Sequence, residues 1–341
     1  MKELKKVLVI VLLAAFAVLP LSAQTTITTL EDAIDDAAEI LGRAMITNSG
    51  LGLNWSDAYI GQLIGKPPHF GIGISTGFTG IPLENLDDIY KQFDSDGVDS
   101  LDIPINFLPL PTVAGEIRLG GFFLPFDIGI KALPLPKIDV GGVSLKYLMV
   151  GGDFRYALMQ QEKGSWKPAI SAGLGLTYTK VDLTSSMGGE STDVDLSDLG
   201  PTYNNHKLII SSPELDFSMK NITLDLKVQV SKKLFIITPY LGMGLSYGWS
   251  TIDFGADSEL QYSASGSPGP VPSSLINDVE AATGLSLGDT SLEKSVKYNG
   301  FGLRGFGGLS FDIFAVRIDL TGLYDIVNRN WGTSLGIRVQ I

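Results

Sequence analysis

The 341-residue chain contains no cysteine. That excludes disulfides, thiol chemistry and lipid attachment at a lipobox. Histidine is nearly absent too, with only His69 and His206. Basic residues are outnumbered, 25 Lys and Arg against 37 Asp and Glu, for a formal net charge of −12. Nucleic acid is therefore a poor partner, because phosphate binding relies on clustered cations. A long apolar helix is missing as well. The best candidate, Leu234 to Ile252, is uncharged, but Pro239, its glycines and an unbroken period of two mark it as a strand.

Alternation dominates what is present. Between Phe235 and Ser250, Phe235, Ile237, Leu241, Met243, Leu245, Tyr247 and Trp249 share one face, while Thr238, Tyr240, Gly242, Gly244, Ser246, Gly248 and Ser250 share the other. Strand side chains point to opposite faces in turn, so this ribbon is oily on one side and polar on the other. Ahead of such ribbons, Lys2, Lys5 and Lys6 precede an apolar run from Val7 to Leu19, then Pro20-Leu21-Ser22-Ala23. This layout reads as a signal peptide over 1–23, cleaved after Ala23. The run is shorter than the about 20 residues of a spanning helix. Losing Lys2, Glu3, Lys5 and Lys6 removes a net +2, which takes the charge from −12 to −14. A mean hydropathy of +0.22 with forty glycines is unusual for a soluble domain.

The alternation predicts strands at 69–80, 112–120, 122–132, 143–159, 167–184, 215–231, 234–254, 295–312, 315–327 and 331–341. Three long connections, 81–111, 185–214 and 255–294, each follow an odd-numbered strand, and tight turns follow even ones. Outer-membrane barrels have short periplasmic turns, long outer loops and an even strand number. Two irregularities stand out. Alternation changes phase in 215–231, suggesting a bulge near Lys220-Asn221 or emergence of the strand above the bilayer. The chain also ends in Ile341 instead of an aromatic residue.

On this pattern the sequence resembles Gram-negative bacterial outer-membrane β-barrel proteins as a broad class, from about residue 69 onward. The expected fold is all-β: an antiparallel transmembrane up-and-down β-barrel of about ten strands, residues 69–341, with a short N-terminal amphipathic helix. The resemblance implies export, residence in the outer membrane against its lipid, and insertion by the barrel-assembly machinery.

Parity assigns the strand charges to the lumen: Glu116, Arg118, Asp127, Lys131, Asp153, Arg155, Asp225, Lys227, Arg304, Arg317, Asp319, Asp325 and Arg338. On the lipid face a Lys or Arg would cost about 2–4 kcal/mol at the midplane. The near-neutral set suits either a salt-bridged interior or a narrow conduit in which Arg118, Arg304, Arg317 and Arg338 oppose carboxylates. Interior glycines, among them Gly73, Gly242, Gly244, Gly248 and Gly302, leave room for another backbone. The segment 24–68 supplies an occupant or a periplasmic segment. Thr29 reads as a helix cap, Leu30, Ile34, Ala37, Leu41 and Met45 as one face, and Glu31, Asp32, Asp35, Asp36 and Glu39 as the other. Residues 28–47 are expected to enter or cap the periplasmic mouth, or to lie on the rim. Tyr178, Tyr247, Trp249, Phe301, Tyr324 and Trp331 fit an outer aromatic girdle; Phe122, Phe154, Tyr156, Phe235 and Phe311 fit an inner one.

Candidate chemistry is sparse. His206 lies in an outer loop with Asp198 and Glu214 nearby, but no catalytic motif surrounds it; His69 sits at the inner start of the first strand. The acidic run Asp94 to Asp102 has oxygen ligands around Gly97, yet lacks the last glutamate of a calcium loop. Pro104 to Pro111 is expected to stiffen the first loop. No catalytic residue, cofactor site or metal site is assigned. Two readings remain: a narrow or plugged channel for small or apolar solutes, porin-like only in architecture, and a closed structural or surface-display barrel whose acidic loops bind a partner. An outer-membrane hydrolase comes third. Ten strands leave little lumen, since eight are filled by side chains and open aqueous channels typify 16–18.

Overall fold

The computed structural model describes residues 25–51, 57–61, 69–85, 87, 106–121, 124–140, 143–161, 166–186, 192–264, 268–283, 286–287 and 291–340. Residues 1–23, expected to be a signal peptide, the run Asp94 to Asp102 and Phe122 lie outside them. In chain order the elements are β1 (Thr25–Thr26), α1 (Ile27–Ser49), β2 (Phe70–Pro82), β3 (Phe107–Gly120), β4 (Phe126–Val140), β5 (Val143–Met159), β6 (Ala169–Ser186), β7 (Thr192–Asp195), β8 (Lys207–Ser231), β9 (Ile237–Ser263), β10 (Pro268–Gly269), α2 (Ser273–Thr283), β11 (Ser286–Leu287), β12 (Ser291–Ile313), β13 (Val316–Asp325) and β14 (Trp331–Gln340).

Ten of these strands form one closed antiparallel barrel in the order β2-β3-β4-β5-β6-β8-β9-β12-β13-β14. Closure comes from β14 on β2, in register from Trp331↔Gly80 to Gln340↔Gly71. Closure matters physically, because pairing β14 with β2 removes the two free end edges that an open sheet would present to hydrocarbon. Parity decides the two faces. Ile74 and Leu241 are each 64% exposed on the outside, whereas Arg118 is 2% and Lys131 0% exposed inside.

Strands run farther than alternation predicted. A crossing needs about 9–11 residues, but β8 has 25 and β9 has 27, and their ladder continues to Lys207↔Ser263. The long connections shrink accordingly to 83–106, 187–206 and 264–290. Pro109 and Pro111 lie in β3, not in a loop. The expected bulge at Lys220-Asn221 is also absent: β8 pairs with β6 and β9 without a break from Phe217 to Ser231, and its irregularity falls between Ser211 and Glu214. Phe217 and Met219 face the lumen beside Asn221. The strand keeps its phase while the lumen itself turns apolar.

Aromatic residues gather at both ends. Tyr247 meets Trp249 and Phe301 edge-on with ring centroids 4.7 Å apart, and Phe126 stacks on Phe154 at 5.5 Å. In the short turns, Phe235 and Phe314 adopt positive φ of 57° and 56°. Both rings project fully outward, as suits an interfacial anchor.

Candidate functional site: the lumen and its plug

Short turns mark the inner end of the barrel and long connections the outer end. β1 pairs with β7 in the connection after β6, so the described chain starts at the outer mouth. From there α1 descends the lumen, and residues 57–61 continue to the inner mouth, where β2 begins. The helix starts at Ile27, ahead of Thr29, and carries no acid in its first turn. The expectation of entry from the periplasmic mouth is thus corrected. Outer-loop packing and the apolar upper lumen hold the helix at the opposite end.

Small apolar side chains let α1 fit. Ala33, Ala37, Ala38, Leu41, Ala44 and Met45 pack against Ile81, Leu108, Leu145, Leu183, Phe217, Met219 and Ile252 from the surrounding wall. Lumenal glycines give way where the helix is closest. A Cβ on Gly248 would lie 2.5 Å from Ile46 Cγ1, and one on Gly302 3.0 Å from Ile46 Cγ2. Asp32, Asp35 and Asp36 stay exposed on the far face, and Lys294 Nζ reaches Glu31 and Asp35 at 3.0 Å each. Above the helix, Ile34 joins Val194, Leu196, Leu208, Leu260, Leu275 and Val279 in a second core that roofs the outer mouth. There the Tyr203 hydroxyl donates to Asp278 at 2.5 Å.

The inner half is polar and built around the plug's backbone. Lys131 Nζ donates to the carbonyls of Ser49 (2.8 Å) and Leu51 (3.1 Å), a cation on the helix C-terminus where the dipole favours one. Arg155 Nη1 and Gln229 Nε2 converge on the Asp57 carbonyl at 2.7 and 2.9 Å. Ser231 Oγ accepts the Ala58 N–H at 2.9 Å, and Gln160 Oε1 accepts that of Ile60 at 3.2 Å.

Side-chain ion pairs complete this layer. Arg118 bridges Asp127 and Asp153 at 2.6 Å each, Arg155 pairs with Asp127 at 2.5 Å, and Lys227 reaches Asp153 at 3.3 Å. Arg304 holds Asp225 at 2.7 Å while its other nitrogen bonds Ser246 Oγ at 2.6 Å. Arg338 pairs with Asp319, and Arg317 pairs with Asp312 at 2.7 Å and with the Asp57 carboxylate. Glu116 accepts from Ser75 Oγ, and Asp325 Oδ2 accepts from Thr47 Oγ1 of α1 at 3.1 Å. All thirteen lumenal charges read from parity therefore lie inside, and five of them, Lys131, Arg155, Arg317, Asp325 and Arg338, reach the plug. The arginines imagined across a constriction are each paired with carboxylates.

Several participants carry no signal in the alternation. Asp57 sits in the irregular stretch after α1. His69, just before β2, is 3% exposed and its Nε2 lies 2.9 Å from Asp127 Oδ2. Burial pushes its pKa below the usual value, against the pull of Asp127. His206 engages no catalytic pair among the described contacts; its Nδ1 shares a hydrogen bond of 2.6 Å with the Tyr262 hydroxyl.

A family model described as "Family of unknown function (DUF6588)" matches residues 70–337. No curated protein matches the sequence. Among solved structures, the outer membrane protease OmpT from Escherichia coli is 9% identical, with 81% of this chain and 97% of that one covered at a TM-score of 0.40. The translocator domain of the autotransporter NalP from Neisseria meningitidis is 10% identical, with 91% and 98% covered at 0.35. The CymD monoaromatic hydrocarbon channel is 10% identical, with 88% and 97% covered at 0.22. The fold rests on the strand pairing itself.

Proposed function

The chain belongs to the family of unknown function DUF6588, which brings no activity with it, and we propose that it is an outer-membrane conduit for small apolar solutes, held shut by its own N-terminal segment. One observation carries this reading. The outer half of the lumen is lined with leucine, isoleucine, methionine and phenylalanine, although a purely structural barrel of ten strands can fill itself with polar side chains. Withdrawal of α1 together with residues 57–61, which Arg155, Gln229 and Arg317 hold, would leave an apolar chamber continuous with an unfilled charged layer below. No catalysis is assigned. Export by the N-terminal signal, insertion by the barrel-assembly machinery and contact with outer-membrane lipid belong to the same proposal.

The competing reading is a sealed display barrel. The pairing of the lumenal arginines and the roof over Ile34 favour it. Deleting residues 25–61 and recording single-channel conductance in planar bilayers separates the two. A conduit gives discrete opening events in the deleted protein and few in the full chain. Silence from a deleted protein that still shows heat-modifiable migration would refute the conduit.

A further inference from the structure

The barrel wall is incompletely laddered at one junction. β3 and β4 pair only from Gly115↔Ala132 to Gly120↔Asp127. Outward of that ladder, residues 107–114 stay paired with β2 and residues 133–140 with β5. Among the described residues, these two stretches have no ladder between them.

Both lips of this seam carry the same four residues, Leu108-Pro109-Leu110-Pro111 and Leu133-Pro134-Leu135-Pro136. Successive strand residues direct their N–H and C=O groups alternately to the two neighbouring strands. The Gly120 N–H donates to the His69 carbonyl at 2.6 Å, on the β2 side, so even-numbered residues of β3 bond β2 and odd ones face β4. The Gly121 N–H donates to the Phe126 carbonyl at 2.7 Å, so even-numbered residues of β4 face β3. Pro109, Pro111 and Pro134 therefore lack their N–H on the side where a ladder would need it. Pro136 falls in a bulge of β4 between Leu135 and Ile138. The sequence itself keeps this seam unzipped.

The two sides of the seam are both apolar. Inside, Leu108, Leu110, Leu145 and Tyr147 pack with α1, and Asn48 Nδ2 donates to the Leu110 carbonyl at 2.9 Å. Outside, a recess of about 770 Å³ lies at the foot of the seam, reaching Gly115 and Ala132 and lined by Ile72, Ile117, Ile130 and Ile337. Phe107, at the outer end of β3, stacks on Phe78 and meets Trp331 edge-on, so the seam runs inward from the aromatic girdle.

We propose that the β3–β4 seam is a lateral port through which a free, slender apolar chain of the fatty-acid type passes between the outer chamber and the hydrocarbon layer. A slit whose proline lips offer no N–H, with apolar surfaces on both sides, favours such a chain over a polar solute. The proposal rests on the conduit reading and names its solute class and route.

The test uses the full chain refolded in liposomes with a diazirine-bearing palmitate as the probe. Cross-links are expected on Leu108 to Thr112 and on α1. Extending the register places Val113 opposite Pro134, and the chain has no cysteine of its own. A Val113→Cys/Pro134→Cys disulfide should cut those cross-links at least tenfold, and reduction should restore them. A second variant, Pro109→Val/Pro111→Val/Pro134→Val, supplies the missing donors and should lower labelling as well. Undiminished labelling in both variants overturns the port. Equal labelling by a diazirine phosphatidylcholine overturns the free-chain assignment in favour of membrane lipid. If the plug-deleted barrel conducts while both seam variants leave labelling unchanged, the port fails and the conduit stands; silence from that barrel removes the conduit first.

Discussion

Replacing Asp57 by Asn isolates what the inner charged layer does. The Asp57 carboxylate pairs with Arg317 and lies 3.9 Å from Arg338, while its main-chain carbonyl is held separately by Arg155 and Gln229. The substitution therefore removes charge pairing and spares the backbone clamp. Breaking a buried ion pair costs about 3–5 kcal/mol because the surviving charge is stranded. Here Arg317 keeps Asp312 at 2.7 Å and Arg338 keeps Asp319, so about 2–3 kcal/mol is expected. That corresponds to a rise of about 30- to 150-fold in the released population of the plug. Ala58, 0% exposed and adjacent, serves as the reporter when changed to Cys. Labelling of Ala58→Cys by a membrane-impermeant maleimide should accelerate by that factor in the Asp57→Asn background, with heat-modifiable migration of the barrel unchanged. Unaltered labelling would show that Asp57 does not hold the plug. Loss of heat-modifiability in step with faster labelling would show that these charges hold the wall.

Two further perturbations address other parts of the plug. Gly248→Leu drives a side chain into Ile46, since even its Cβ would lie 2.5 Å from Cγ1; it should displace α1 and raise conductance toward that of the plug-deleted barrel, and full-chain conductance would contradict the close fit. His69 has a pKa lowered by burial, so below pH about 6.5 the unfolded chain binds its proton more readily than the folded one. Stability is full above that pH and falls as the medium acidifies, and His69→Gln should flatten this part of the urea-midpoint profile; an unchanged slope would assign it to other groups.

Much of the fold was legible because lipid imposes a rule that reaches every strand. Charges cannot face hydrocarbon, so a period of two sorts Glu116, Arg118 and their counterparts inward without knowledge of partners. The rule fails where both faces are apolar. Phe217 and Met219 looked like a phase slip because the pattern assumes a polar interior, whereas α1 makes the outer lumen an apolar core. The proline-rich run Pro104 to Pro111 reads from sequence as a stiffened loop; the structure accommodates Pro109 and Pro111 within β3 by leaving that edge of the strand unpaired.

The sequence by itself determined the barrel, its parity and the chain's amphipathic N-terminal helix, since these follow from local alternation and the cost of burying charge in lipid. Tertiary structure alone decided that α1 descends from the outer mouth, that Lys131 grips the end of α1 while Arg155 and Gln229 grip the Asp57 carbonyl beyond it, and that Asp57 and His69 join the charged layer. Those contacts link residues distant along the chain, and no local periodicity records which main-chain carbonyl a buried cation will meet.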